Sequence, residues 1–162
     1  MDYTRHEYAK GAPQPKIRMF ERGNPSLDYN YEVSLSAKSN FKISGGSLES
    51  IRVNVNRELT KKLSASKYYF KIQAYPHIIV RKSKWLGFAG ADRISKGMRR
   101  SFGKPRSRAA NIRKGQTIAF VRVMEKEDLE VVRRALKRVL PKVPGDCNIV
   151  VKSLKSTELP SH

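Results

Sequence analysis

A dense group of cations lies between residues 81 and 114. This segment contains twelve Lys or Arg residues and one acid, Asp92. Each Lys or Arg that contacts a phosphate releases condensed counterions, and Arg also forms bidentate contacts and stacks on bases. Such a density of like charge repels itself in water, so the segment predicts a polyanionic partner. The twelve cations are Arg81, Lys82, Lys84, Arg93, Lys96, Arg99, Arg100, Lys104, Arg106, Arg108, Arg113 and Lys114.

Two further groups of residues could contact a nucleic acid. Trp85 and Phe88 either stack on bases or pin the basic segment to the protein body. The first 25 residues also combine rings with cations, which favours a second RNA-contacting strip over a free tail. The residues of this strip are Tyr3, Arg5, His6, Tyr8, Lys10, Lys16, Arg18 and Arg22.

No arrangement of residues indicates catalysis. The three histidines, His6, His77 and His162, are scattered and belong to no recognisable motif. His77 is interpreted as a hydrogen-bonded structural histidine, and Cys147 as a small buried side chain. The glycines of the basic segment lack the spacing of a dinucleotide fingerprint or a P-loop. We therefore expect no enzymatic activity, no cofactor and no bound metal.

Composition narrows the class of protein further. The chain has 162 residues, with 34 Lys or Arg against 14 acids, a formal net charge of +20 and a pI of about 10.4. This length predicts a single domain, and this charge predicts a nucleic acid partner. No run of about 18 apolar residues suggests a membrane span. The polar start and the single cysteine predict a cytoplasmic protein in a reducing compartment.

Hydrophobic periodicity predicts the elements of the first half. We expect a short strand over residues 16–20, a half-buried strand over 31–36 and its hairpin partner at Phe41 and Ile43. A helix capped by Ser47 follows. Residues 68–80 indicate two strands joined at Pro76. The apolar face of the helix consists of Leu48, Ile51, Val55, Leu59 and Leu63.

The second half predicts a strand, a helix and a strand. Residues 118–124 are apolar on both faces, which is typical of a central strand. Acids at 125–128 fit the first turn of a second helix, which Pro141 and Pro144 end. The last strand covers 148–152. The apolar face of the second helix consists of Leu129, Val132, Leu136, Val139 and Leu140.

These elements predict an α+β sandwich in which two helices cover a mixed sheet. The whole chain, residues 1–162, forms one domain in this interpretation. It carries an extended N-terminal segment over residues 1–25, a long basic loop over 81–114 and a flexible tail over 153–162.

Several stretches of sequence resemble a known family. They are YTRHEYAKGAPQPKI, FERGNP, YPHIIVRK, GADRISKGMRRSFGKP and the closing helix–strand unit. Together they resemble the large-subunit ribosomal protein L-sixteen family in its archaeal and eukaryotic form, L-ten-e. The resemblance covers nearly the whole chain, and residues 89–105 are its most specific part.

This resemblance implies an α/β-hammerhead-like fold within the large ribosomal subunit. It implies contact with rRNA near the central protuberance and 5S rRNA, with neighbouring ribosomal proteins, and no homo-oligomer. It further implies that the basic loop reaches toward the peptidyl-transferase centre and the tRNA acceptor arm. The residues placed at the tip near tRNA are Lys84, Trp85, Phe88, Asp92, Arg93 and Lys96. The residues expected on rRNA are Arg5, Lys10, Lys16, Arg18, Arg22, Arg81, Lys82, Arg99, Arg100, Lys104, Arg106, Arg108, Arg113 and Lys114.

Two alternatives belong to other functional classes. One is an RNA-processing or RNA-modifying enzyme with a basic substrate channel, which would need converging acids or a histidine dyad. The other is a DNA-compacting protein, which would bind duplex DNA as tightly as rRNA.

Overall fold

A computed structural model describes residues 2–3, 9, 11–64, 66–82 and 103–154. These ranges contain nine strands and two α-helices, and a short 3-10 turn, Leu140–Lys142, follows the second helix. The strands are β1 (Asp2–Tyr3), β2 (Glu21–Gly23), β3 (Tyr31–Ala37), β4 (Phe41–Ser44), β5 (Tyr68–Ile72), β6 (Ile78–Lys82), β7 (Lys104–Ile112), β8 (Thr117–Val123) and β9 (Cys147–Ser153). The helices are α1 (Gly45–Lys62) and α2 (Asp128–Val139).

The strands form two antiparallel sheets. The four-stranded sheet has the order β1-β6-β7-β4, and the five-stranded sheet has the order β2-β5-β8-β3-β9. The predicted α+β class is confirmed. The prediction of one mixed sheet is wrong, because every strand pair in the described residues is antiparallel. Periodicity shows which face of a strand is apolar, whereas the direction of pairing depends on residues far apart in the chain, such as Tyr31 and Ser153.

One hydrophobic core joins both sheets and both helices. Helix α1 packs against α2 and against β4, β5 and β7, while α2 packs on β3, β8 and β9. The predicted apolar face of α1 is buried along its whole length, and that of α2 is buried at Val132, Leu136 and Val139. The four-stranded sheet contributes Ile43 and Ile112 to the same core. Ile78, Ile79 and Ala109 of this sheet are also buried, whereas Lys42, Lys82, Lys104 and Arg106 are exposed.

The predicted N-cap of α1 is one turn too late. Ser44, not Ser47, caps the helix: its side chain accepts a hydrogen bond from the Ser47 backbone N–H at 3.1 Å. A serine hydroxyl reaches the N–H three positions ahead, so the cap lies before the two glycines that open the helix. Both residues are serines at plausible positions, and the sequence alone did not distinguish them.

The central strand and the last strand are confirmed, but two strand predictions are wrong. Strand β8 lies between β5 and β3. Strand β4 pairs with β7 rather than with β3, because the backbone after β3 is already bonded elsewhere: the N–H of Ala37 donates to Gln116 and that of Lys38 to Asp146. Residues 16–20 form no strand.

The failure at 16–20 has a local cause. Ile17 is fully buried between exposed Lys16 and Arg18, but Met19, the next position that alternation would bury, is 55% exposed, so the pattern ends there. Pairing starts only where the Phe20 carbonyl accepts the Ile72 N–H at 2.8 Å, immediately before β2.

The long loop expected over 81–114 is shorter at both ends. Residues 81–82 end β6, and β7 occupies most of the last third of that range. The cations there alternate with Pro, Ser and Ala in a strand that is only partly buried, which sequence analysis read as irregular chain. Residues 83–102 lie outside the described residues, as do 155–162 of the predicted tail; Ser153 ends β9.

Candidate nucleic-acid interface

The charged residues of strands β4, β6 and β7 are all basic. They carry six Lys or Arg and no acid. Lys82, Lys104 and Arg106 are exposed, while Arg81 and Arg108 are half-buried. The six cations are Lys42, Arg81, Lys82, Lys104, Arg106 and Arg108. The four-stranded sheet therefore presents one sign of charge along these three strands.

Two lysines face each other where residues 83–103, the middle of the basic segment, leave and re-enter the sheet. Lys82 ends β6, Lys104 begins β7, and the register pairs them directly. Directly opposed side chains in an antiparallel pair have Cβ atoms about 4.5–5.5 Å apart, and like charges at this spacing are destabilising. Neither lysine is in an ion pair with a described residue. The pair thus forms a ready site for an anion.

A β-bulge changes the direction of Arg106. The register passes from Val80↔Ser107 to Arg81↔Pro105, so Arg106 has no partner on β6. The extra residue of a bulge bends the strand and redirects its side chain. Arg106 is exposed at this point, next to the opposed lysines. Three unpaired cations therefore cluster at the base of the basic segment.

Arg108 connects this sheet to the N-terminal segment. Its Nε donates a hydrogen bond of 2.8 Å to the Pro13 carbonyl. Because that bond uses part of the guanidinium, Arg108 positions the extended chain as well as adding charge. Lys16, Arg18 and Arg22, the described cations of that chain, are exposed.

The turn between β7 and β8 holds Arg113 and Lys114 on a rigid backbone. The Arg113 carbonyl accepts the Gln116 N–H, and Gly115 has a φ of 83°, as the third position of a type II turn requires. The Lys114 N–H donates to Asn40 Oδ1 at 2.7 Å, and the Gly115 N–H to the Ala37 carbonyl at 2.8 Å. Both cationic side chains are exposed.

Acidic residues of the described chain form ion pairs on the other surfaces of the protein. Five ion pairs occur among the described residues, in the five-stranded sheet, the helices and the adjoining loops. Hydrogen bonds from Lys71 and Arg52 lower the pKa of Glu21 and Glu49, respectively. Lys82, Lys104 and Arg106 of the four-stranded sheet form no ion pair with a described residue. The five pairs are Arg52–Glu49, Lys67–Glu125, Lys71–Glu21, Arg122–Glu32 and Arg138–Glu58.

The structure brings some of the predicted contacts together and leaves others undescribed. Lys82, Lys104 and Arg106 form one cluster, Arg113 and Lys114 a second, and Lys16, Arg18 and Arg22 line the N-terminal chain. The remaining predicted contacts fall outside the described residues. They are Arg5, Lys10, Lys84, Trp85, Phe88, Asp92, Arg93, Lys96, Arg99 and Arg100.

Other exposed cations were not predicted from the sequence as RNA contacts. They lie along the two helices and just after the second, where the amphipathic pattern accounts for them as solvated faces and gives no separate signal. His77, interpreted as structural, is exposed beside the β7–β8 turn. The missed cations are Arg57, Lys61 and Lys62 on α1, Arg133, Arg134 and Lys137 on α2, and Lys142 after it.

Within the described ranges, no group of three His, Cys, Asp or Glu could hold a metal ion. No helix in the same part of the chain is long and apolar enough to cross a membrane.

Comparisons with known proteins agree with this surface. The family model described as Ribosomal protein L16p/L10e matches residues 1–150. The large ribosomal subunit protein uL16 of Staphylothermus marinus is 43% identical over 153 residues, covering 94% of this chain and 87% of that protein. Its counterpart from Hyperthermus butylicus is 42% identical over 153 residues, covering 94% and 84%. That of Archaeoglobus fulgidus is 43% identical over 150 residues, covering 93% and 86%. With only basic charges on β4, β6 and β7, a family match over nearly its whole length and relatives this similar, the chain belongs to the ribosomal protein L16p/L10e family.

Proposed function

We propose that the four-stranded sheet and the basic segment it carries bind large-subunit rRNA, and that the segment extends toward the tRNA acceptor arm. Membership of the family makes the protein a structural constituent of the large ribosomal subunit, ribosome-bound in the cytoplasm and without enzymatic activity. The alternative of an RNA-modifying enzyme gains no support from the comparisons, in which the similar proteins are large ribosomal subunit proteins.

The opposed pair Lys82 and Lys104 carries the proposal. Both lysines are exposed, and Arg106 adds a third cation where the bulge turns the strand. This cluster raises the energy of the free protein, and a phosphate between the side chains would remove the repulsion and release counterions. The same two lysines mark where residues 83–103 leave and rejoin the sheet. That segment therefore starts and ends beside the RNA backbone that the cluster would hold.

The position within the subunit rests on the family resemblance. This resemblance supports a position near the central protuberance and 5S rRNA, in contact with neighbouring ribosomal proteins. It also supports a position of the tip residues near the peptidyl-transferase centre and the tRNA acceptor end. We assign the tip to Lys84, Trp85, Phe88, Asp92, Arg93 and Lys96. Arg99, Arg100 and the cations of β7 would then hold rRNA on the way back.

The first prediction tests the lysine pair. The variant Lys82→Gln/Lys104→Gln removes two charges but keeps similar side-chain length. Each phosphate contact contributes about 0.7–0.9 to the slope of log K against log salt concentration, so we expect the slope to fall by about 1.4–1.8. At about 0.15 M salt this corresponds to roughly a 15- to 30-fold weaker binding. Titration of the full chain with large-subunit rRNA at several salt concentrations measures both quantities.

A matched control is the variant Lys61→Gln/Lys62→Gln. It removes the same charge from the last turn of α1, about 26 Å along the helix from its first residue. We expect a smaller change in slope there. An equal change in both variants would contradict a specific role for the opposed lysines and indicate binding to total charge alone.

The tRNA part of the proposal needs a separate measurement. Crosslinking from residues 84–108 in whole ribosomes should reach both rRNA and the acceptor end of tRNA. Crosslinks that reach only rRNA distant from the acceptor end would overturn the assignment of the tip while leaving the rRNA part intact.

A further inference from the structure

Residues 74–78 place two polar rings on one exposed face. Ala74, Pro76 and Ile78 are buried, whereas Tyr75 and His77 are exposed. This alternation is that of an extended chain lying on the core. Tyr75 is 52% exposed, and its ring contacts Phe20 with centroids 5.6 Å apart. One part of the Tyr75 ring is therefore supported, and the rest is open to solvent.

His77 borders an open cavity of about 530 Å³. The other described lining residues come from the end of β7 and the turn after it, and none of them is an acid. Its charged members are Arg113 and Lys114; the other titratable group is His77 itself. The remaining lining residues are Asn111, Gly115 and Gln116.

The lining of this cavity presents hydrogen-bond donors. The turn's backbone N–H groups are already used within the protein, so the free donors are side chains. Gln116 Oε1 accepts the Arg113 N–H at 3.0 Å, which leaves the Gln116 amide nitrogen free to donate. Asn111, Arg113 and Lys114 add an amide, a guanidinium and an ammonium. The turn is fixed before any ligand arrives, so little ordering is needed on binding.

The hydrogen bond of His77 determines which ring nitrogen is left available to a ligand. Its Nδ1 lies 3.1 Å from the Tyr75 carbonyl oxygen. A carbonyl oxygen only accepts, so Nδ1 carries the proton of that bond. Nε2 then has a lone pair in neutral imidazole and becomes a donor when the ring is protonated. Neutral His77 would repel a phosphate oxygen at Nε2, whereas protonated His77 would bind it.

We propose that this cavity binds a phosphodiester group of an rRNA strand through Arg113, Lys114 and protonated His77, and that Tyr75 stacks on the adjoining base. The inference rests on the proposed function and adds to it a site, a ligand group and a pH dependence. A phosphate accepts hydrogen bonds from all of these side chains, and the absence of an acid among the described lining residues excludes competition from them. An aromatic ring beside a phosphate contact is a common way to hold an unpaired nucleotide.

The cavity is a second contact, separate from the lysine pair at the base of the basic segment. Strand β7 runs from Lys104 to Ile112, which spans about 26 Å at roughly 3.3 Å per residue. Lys104 lies at one end of this strand, and the cavity lies beyond the other. Variants in the two places can therefore be distinguished.

Protonation of His77 would make binding depend on pH in one direction. Histidine changes charge between about pH 5 and 8. A phosphate bound beside the ring favours the imidazolium. Binding should therefore strengthen as pH falls. One added phosphate contact at about 0.15 M salt strengthens binding roughly four- to sixfold, which is the most we expect between pH 8 and pH 6.

The experiment titrates the full chain with large-subunit rRNA at pH 6 and pH 8 and at several salt concentrations. In Arg113→Gln/Lys114→Gln we expect the slope of log K against log salt concentration to fall by about 1.4–1.8. Because His6 and His162 titrate in the same range, we test His77 in the variant His6→Gln/His162→Gln, where adding His77→Gln should remove the remaining gain at pH 6. In Tyr75→Leu we expect weaker binding, about fivefold or more, with an unchanged slope, because stacking releases no counterions.

Each result supports or overturns one part of the proposal. An unchanged slope in the Arg113/Lys114 variant would overturn the phosphate site. A pH effect that stays the same when His77→Gln is added to His6→Gln/His162→Gln would overturn the role of His77, and full affinity in Tyr75→Leu would overturn stacking. If the cavity variants retain RNA binding but fail to bind a neighbouring ribosomal protein, the cavity holds a protein carboxylate instead. If the wild-type chain binds rRNA no better than a neutral protein, the proposed function itself has failed.

Discussion

Two glycines with left-handed backbones should respond very differently to the same substitution. Gly23 in β2 has a φ of 99°, and Gly115 in the β7–β8 turn has a φ of 83°. A Cβ on Gly23 would lie 1.9 Å from the Tyr68 carbonyl oxygen, whereas a Cβ on Gly115 would meet nothing within 4 Å. Alanine therefore adds backbone strain at both sites and a steric overlap at Gly23 alone.

The expected losses of stability follow from the backbone strain and the steric overlap. A left-handed alanine costs about 1–2 kcal/mol. Relief of the overlap at Gly23 requires β2 to move away from β5 by about 1 Å or more. That movement would break about two hydrogen bonds, each contributing about 1 kcal/mol. We expect Gly115→Ala to lose about 1–2 kcal/mol and Gly23→Ala about 3–4 kcal/mol.

Urea denaturation followed by far-ultraviolet circular dichroism measures this difference. The expected gap of about 2 kcal/mol between the variants corresponds to roughly 4–8 °C in Tm for a domain of this size. Gly115→Asn serves as a control, because asparagine tolerates the left-handed region better than alanine. Equal losses for Gly23→Ala and Gly115→Ala would refute the steric argument and with it the close approach of β2 to β5.

Two smaller predictions concern the helix cap and the cysteine. Ser44→Ala should cost about 1 kcal/mol in urea denaturation and Ser47→Ala less, because Ser44 provides the side chain that caps α1; the reverse order would place the cap at Ser47. Burial, followed by the charge of Asp146, raises the pKa of the Cys147 thiol. The folded state therefore holds this proton more tightly than the unfolded state, and stability falls as pH rises through the alkaline range. Iodoacetamide should modify Cys147 more slowly at pH 8 in the folded chain than in urea, and equal rates would contradict this assignment.

Local periodicity predicted most of the helices and strands. The faces of α1 and α2, the central position of β8 and the break at Pro76 all follow from spacing within a dozen residues. The pairing of β4 with β7 does not, because those strands lie about 60 residues apart and several partners were compatible with their apolar faces. The same limit explains why β7 was read as loop: its cations conceal a strand whose partners lie in β4 and β6.

For the candidate interface, charge was predictable and geometry was not. The excess of cations between residues 81 and 114 is visible in the sequence. That Lys82 opposes Lys104, or that Arg108 donates to Pro13 across 95 positions, depends on register and chain path. His77 illustrates the difference: its type suggested a structural role, and only its exposed position beside Arg113 and Lys114 indicates an anion contact.

The bulge at Arg106 makes one place in β7 tolerant of a change in length. Because Arg106 has no partner on β6, its deletion would leave Ser107 opposite Val80 and Pro105 opposite Arg81. Deletion of a neighbouring residue would instead shift the pairing toward the basic segment or force a new bulge. Members of the family could therefore gain or lose one residue here without moving the ends of the segment. Length variation within the family should concentrate at this position of the strand.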